Sequence, residues 1–586
     1  MFLIDSSPMT PVNDDLNVTT DSLEISPEKP SSLKDFFSRW HALIAFATIV
    51  ALEIACFGPI FSKVGFYLDD WITLNLIQWG PKSLFSAFHQ YLLSDPRVIV
   101  RPVEAFFYVV EFFAFGLKPL GYHLVNAALE VLSAFFLYIA LFDLTRKPAL
   151  SLVAGLILVA YPNHDVTHYW ATCSSENVSL ALSMASIALS TKAALKSQLK
   201  YFHWSVVCFI LSIFCYETFL PLVSLNAFFA FGVLCHKTSV ADALKRTLLF
   251  CVPFAVCVVC LLFYSRIIAP MLGPAQVHAV HLDLKNIFNV IAEGVRINCP
   301  PYAIEYFNNR GIEAYENTSA KTLWTTFSVI AAIVVGAVGS LTKGGNEGRQ
   351  PMLLLPVGLI TVIASYTIFG LNPEYFPTFR TIVNRINEGA AVGIAIATAG
   401  LLAIILHFAR RITRREFKTA IISLVLLPML ALSFMADRGY SRPWILSWYT
   451  QKVIQDSLKE HKSEFKAGDS IILANCPRYV MWAPLFDGVW DFQPMLQLTL
   501  KSRDIKGGVV SERMEIQNNQ LKDISRGVVC NTYNFGHLFI IIPPKGEIIP
   551  IHSADEFIST VEKRGFGFGL DRSVIKKWRG QIQDSK

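Results

Sequence analysis

The chain has 586 residues, of which 53% are hydrophobic and only 16% charged, and its net charge is +6. Soluble domains carry about 25% charged residues, so this much apolar surface cannot all be hidden in a water-soluble core. The positive balance comes without any basic, aromatic-interleaved patch, which argues against nucleic acid as a partner.

Residues 1–40 are polar, rich in Ser, Pro and Asp, and lack a cleavable signal, which predicts a disordered cytoplasmic tail. Apolar runs then recur from Trp40 to Met435, each long enough to cross a hydrocarbon layer of roughly 30 Å. They predict about eleven spans, near 41–61, 122–143, 148–161, 177–194, 202–216, 217–235, 247–268, 324–341, 352–370, 388–408 and 419–436. With the N-terminus inside, every short cytoplasmic gap is basic: Arg146 and Lys147; Lys192, Lys196 and Lys200; Lys237, Lys245 and Arg246; Lys343 and Arg349; and the cluster from Arg410 to Lys418. That asymmetry is what the positive-inside rule requires.

Two segments decide the parity. Trp204–Cys235 is uncharged except at Glu217 and reads as two short helices breaking near Glu217 and Pro221. Pro102–Leu117 is aromatic but holds Glu104 and Glu111, so it reads as a helix lying on the outer face rather than crossing. The predicted fold is therefore an all-α polytopic membrane protein, with outer loops at 62–121 and 269–321, followed by a small soluble α/β domain over 437–586 outside the membrane. β-rich runs at Ser470–Leu473 and His537–Ile542, flanked by Gly and Pro, support that last unit. Most of the eleven cysteines lie in apolar runs, while Cys476 with Cys530 and Cys173 with Cys299 are pairs in outer segments that disulfides could join.

The outer segments hold the chemistry. Tyr67-Leu68-Asp69-Asp70-Trp71 places adjacent carboxylates just beyond the first span, where one can take a proton from a hydroxyl or simply cap a helix. Arg101-Pro102 precedes the outer helix. In Gly121-Tyr122-His123-Leu124-Val125-Asn126 the helical spacing puts His123, Asn126 and Glu130 on one face, and polar groups within a span usually face the bundle interior. Tyr161-Pro162-Asn163-His164-Asp165 and His168 lie in the next loop, ahead of Glu176. Two histidines four apart fit a metal less well than substrate hydrogen bonding or loop structure.

Taken in order, the acidic pair, the Arg-Pro helix, Gly-Tyr-His-Leu-Val-Asn, the Pro-x-His loop ending at Glu176, Tyr216-Glu217-Thr218 and Asn384-Arg385-Ile386-Asn387-Glu388-Gly389 resemble the GT-C membrane glycosyltransferases. The nearest branch holds the transmembrane, TPR-containing O-mannosyltransferases, with protein O-mannosyltransferases and aminoarabinose transferases further off. The resemblance implies a transferase moving a sugar from a polyprenyl-phosphate donor to a glycan, lipid or protein acceptor at the outer face of a bilayer, in a bacterial inner membrane, with inversion at the anomeric carbon. It makes Asp69 or Asp70 the base and Glu176 the second acid of the site. It puts Arg101, His164 and Glu217 in the substrate cavity; His123 and His168 are further candidates for substrate binding from their own positions, and Arg380, Arg385 and Arg101 are candidate cations for the leaving phosphate. No resident cofactor is implied and no metal ligand set is assigned, although a divalent cation is compatible with such a site. No Gly-rich phosphate loop or Walker sequence is present. The competing expectation is a transporter or flippase of lipid-linked or small polar substrates.

Overall fold

A hydrocarbon slab offers the backbone no hydrogen-bond partner but itself, so apolar runs that enter it close as helices. In the computed structural model eight helices among the described residues are long and apolar enough to cross: Trp40–Phe61, Pro119–Thr145, Ala171–Lys196, Glu217–Leu234, Val240–Leu272, Ala320–Thr342, Ile382–Ala409 and Phe417–Glu460. Three shorter apolar helices, Pro148–Ala160, Leu199–Cys215 and Leu354–Gly370, fill the remaining predicted positions. The chain is an integral, multi-pass membrane protein. The structure describes residues 33–276, 281–343, 351–409, 417–525, 528–543, 545–564 and 572–584. The expected tail up to residue 32, Arg349 and the basic cluster 410–416 lie outside the described residues.

Proline and glycine set the helix ends near the site. Pro102, Pro119 and Pro148 each open a helix, where the missing N–H is an orphan in any case. Gly116, with φ at +57°, turns the chain between Pro102–Phe115 and Pro119–Thr145. The Trp204–Cys235 stretch does break, through a turn of 3₁₀ helix at Glu217–Leu222 that carries Pro221. Deeper in the bundle, Leu354–Gly370 and Glu388–Ala409 touch backbone to backbone. A Cβ on Gly400 would come within 2.2 Å of the Leu355 nitrogen, and one on Gly358 within 2.4 Å of the Ala397 nitrogen. Small residues are what permit such an approach between apolar helices.

The last helix does not stop at the membrane surface. It runs unbroken for 44 residues, Phe417–Glu460, through Pro428 and Pro443, so the expected boundary at 437 falls inside it. Beyond it stands a headpiece whose main sheet has the order Lys506–Val509, Ser470–Leu473, Leu538–Ile542, Glu547–Ile551; the first three strands are parallel and the last antiparallel. A three-stranded antiparallel sheet, Met514–Gln517, Gln520–Ser525 and Val528–Asn534, stands beside it. The headpiece core is continuous with the segment after the first span: Phe66, Trp71 and Leu74 pack with Ile471, Leu473, Phe492 and Leu496. Cys173, Cys299, Cys476 and Cys530 are free thiols, so neither of the two pairings is formed.

Candidate functional site

The turn after the first span is built by Asp70. Its Oδ2 accepts from the Tyr67 N–H at 2.7 Å and its Oδ1 from the Thr172 N–H at 2.8 Å, which ties the start of the Asp69–Gln78 helix to the loop before Glu176. Leu68 is held at φ +46°, a conformation L residues avoid at about 1–3 kcal/mol. Asp70 is 1% exposed, and burial, against those two hydrogen bonds, pushes its carboxyl up to about 7. It is a strut. The strained turn points its neighbour Asp69 the other way, into a cavity of about 420 Å³.

That cavity lies at the end of the bundle that carries the headpiece. Arg146 and Lys196 stand at the far ends of the Pro119–Thr145 and Ser174–Lys196 helices, which begin at this end. Five of the residues singled out in the sequence line its wall: Asp69, Arg101, Glu176, Glu217 and Arg385. They meet as ion pairs between remote segments. Arg101 donates from Nε and Nη2 to both oxygens of Glu217, at 2.8 and 2.7 Å, while its guanidinium lies 4.1 Å from the Tyr216 ring centre. Arg385 Nη1 donates to Glu176 Oε1 at 2.6 Å, and its guanidinium sits over Trp170. Arg97, which the sequence reading passed over, reaches Asp69 at 2.7 Å and Asp95 at 2.6 Å.

The remaining candidates are placed elsewhere. His123 is fully buried, with Nε2 3.1 Å from the Gly65 carbonyl oxygen. His164 and His168 are buried behind the cavity, near Glu130 and Glu53. Arg380 is exposed and outside the cavity wall.

Other wall residues had no motif to announce them. Glu104 sits one helical turn after Arg101, 3.6 Å from its Nη1; burial outweighs that attraction and pushes its carboxyl up to about 8. The Tyr108 hydroxyl donates to the Thr172 carbonyl and lies 3.1 Å from Ser175 Oγ. Arg266 and Ser265 reach the cavity from a single turn of π-helix, Tyr264–Ile268. Such turns re-aim side chains and recur at functional sites. The tyrosine of that turn donates to the Ile99 carbonyl at 2.9 Å, which fixes it against the Arg97–Arg101 loop.

The cavity is polar at one end and apolar at the other. Leu261, Leu262, Ile368 and Phe369 form the apolar wall, and Leu262 is also exposed on the outside of the bundle. Among the described residues, no group of three or more His, Cys, Asp or Glu has metal-ligating geometry. Three of the cavity carboxylates, Asp69, Glu176 and Glu217, are each matched to a guanidinium.

No family model matches the chain, and no curated protein matches it. Among solved structures it is similar to ArnT from Cupriavidus metallidurans bound to undecaprenyl phosphate, at 12% identity over 80% of this chain and 86% of that one, with a TM-score of 0.34. The same enzyme in the apo state is similar at 12% identity over 76% and 85%, with a TM-score of 0.32.

Proposed function

We propose that this chain is a GT-C-type membrane glycosyltransferase that moves a sugar from a polyprenyl-phosphate donor to a hydroxyl acceptor at the outer membrane face. One observation carries the reading: acids and arginines from five distant segments converge on a single cavity that is charged at one end and apolar at the other. The apolar wall suits an isoprenoid chain entering from the bilayer, and Arg385 and Arg101 suit its phosphate, since a guanidinium can hold two phosphate oxygens at once.

In this scheme Asp69 takes the acceptor hydroxyl proton as that oxygen attacks the anomeric carbon. The bond to the donor phosphate oxygen breaks, the phosphate monoester leaves with the bonding electrons, and the anomeric configuration inverts. Asp70 holds the turn that aims Asp69. Glu176 and Glu217 position the arginines, and each arginine exchanges part of its carboxylate pairing for phosphate as the donor binds. The basic gaps at the far end support an orientation with the cavity and headpiece outside the cytoplasm.

The test is turnover by the purified protein in lipid nanodiscs with undecaprenyl-phosphate sugars, reading released undecaprenyl phosphate and the glycosylated acceptor. Arg385→Ala is expected to weaken donor binding by more than tenfold, the worth of about 1.4 kcal/mol or more. Absence of donor binding to the wild-type protein would remove the proposal.

A further inference from the structure

Behind the cavity the bundle holds a second set of ionisable groups that sugar transfer leaves unused. Glu53 lies in the first span, roughly 12 Å inside its outer end at 1.5 Å per residue. Glu130 lies in the second, His164, Asp165 and His168 in the short helical turns after Pro148–Ala160, and Asp437 on the last helix. Each is at most 3% exposed. They face one another without bonding: His168 Nε2 is 3.5 Å from Glu53 Oε2, and His164 Nε2 is 3.9 Å from Glu130 Oε2. Both carboxyl oxygens of Glu53, Asp165 and Asp437 and both ring nitrogens of the two histidines have no hydrogen-bond partner. A buried polar atom left so costs about 1–3 kcal/mol. Buried polar groups left without partners are the ones that bridging water satisfies.

The set continues at both ends. Toward the cavity, Glu388 has both oxygens unpartnered, and the charged groups that act on it are Glu130, Glu176 and Arg385. Glu176 accepts a hydrogen bond from the Ser175 hydroxyl at 3.1 Å, and Ser175 in turn meets Tyr108 in the cavity wall. Toward the surface, Asp165 has Asp437 as its charged neighbour, and Tyr306 is within reach of Asp165, Arg310 and the exposed Arg380. The Tyr306 and Tyr440 hydroxyls bond each other, and Arg310 lies 4.5 Å from the Trp482 ring.

We infer that these groups form a hydrated proton path, from Glu176 in the cavity through Glu388, Glu130 and the His168–Glu53 pair to Asp437, Asp165 and Tyr306 near the outer surface. Its use rests on the transferase reading. Donor and acceptor together displace the water of a 420 Å³ cavity, so the proton taken by Asp69 needs an exit that does not run through the entrance. Passing it along the cavity hydroxyls to Glu176 restores the base, with one proton leaving for each glycosidic bond formed.

Two measurements test this separately. Infrared spectra of the nanodisc-embedded protein in H₂O and D₂O should show protonated carboxyl bands that shift within minutes of exchange, with a band missing in Glu388→Gln and in Glu130→Gln. Absent bands would show ionised carboxyls with no proton to pass, and bands that shift only on unfolding would show a dry, sealed cluster; either result overturns the path. If Glu130→Gln does not fold, the wild-type exchange and Glu53→Gln decide the same point. In turnover, Glu388→Gln should lower kcat about tenfold and enlarge the solvent deuterium effect while the donor KM holds, against the roughly 10²–10⁴-fold of directly positioned proton transfer. An unchanged kcat and isotope effect would refute the path's role in transfer. A wild-type protein inactive on every donor would instead refute the transferase reading and leave the infrared result standing.

Discussion

Asp69 and Asp70 are adjacent, yet the geometry assigns them opposite work, and isosteric amides separate the two. Asp69→Asn keeps the side chain's size and removes its basicity. Positioned proton transfer contributes roughly 10²–10⁴-fold, so kcat should fall by that factor. Folding should hold, because Arg97 keeps Asp95 at 2.6 Å and the lost pair, about one-third exposed on each side, contributes at most about 1 kcal/mol. Asp70→Asn does the reverse. Its carboxylate receives two backbone N–H groups, and an amide turns an NH₂ on one of them, at a cost of about 1–3 kcal/mol. The turn at Leu68 also loses one of its restraints. Thermal unfolding and donor turnover, measured on the same nanodisc samples, should show Asp69→Asn folded but inactive, and Asp70→Asn less stable with kcat of the folded fraction within a few-fold of wild type. Loss of turnover in Asp70→Asn at unchanged stability, together with an active Asp69→Asn, would refute the assignment.

Glu104 gives a pH dependence. Its carboxyl, raised to about 8, is neutral at pH 7 and ionises above 8, which adds a negative charge beside a bound phosphate. The donor KM should therefore climb above pH 8 in the wild type and stay level in Glu104→Gln. Gly400→Ala puts a methyl 2.2 Å from the Leu355 nitrogen, and overpacking of that kind costs about 1–3 kcal/mol, visible as a lower unfolding temperature. Trp71→Phe removes the 3.1 Å bond from Nε1 to Gln451 Oε1 and leaves a fully buried amide without a partner, which should cost a similar amount and make the headpiece more open to protease.

The spans were legible because a layer of roughly 30 Å sets a length that composition alone must satisfy. Even the short helices around Glu217 show in sequence, since a lone carboxylate and Pro221 mark the break. The ion pairs were not legible in the same way: Arg101 and Glu217 are 116 positions apart, and Arg385 and Glu176 are 209 apart. Nothing local to Arg97 or Glu104 distinguishes them from loop and helix-start charges, so only the folded arrangement puts them in the wall. The shared face of His123, Asn126 and Glu130 does turn inward, to the bundle interior behind the cavity. Helical spacing reports that a face is buried, but not whether it borders the cavity or the buried polar cluster behind it.

The Phe417–Glu460 helix has a mechanical consequence. At 1.5 Å per residue it is a rod of roughly 66 Å, threading the bilayer and the headpiece without a joint. Torque applied to the outer unit reaches Trp444, whose carbonyl holds the Tyr67 hydroxyl, and so the acid-bearing turn itself. Pro428 and Pro443 each remove one bond from the hydrogen-bond ladder of this rod, so any bend along it is expected at those two positions.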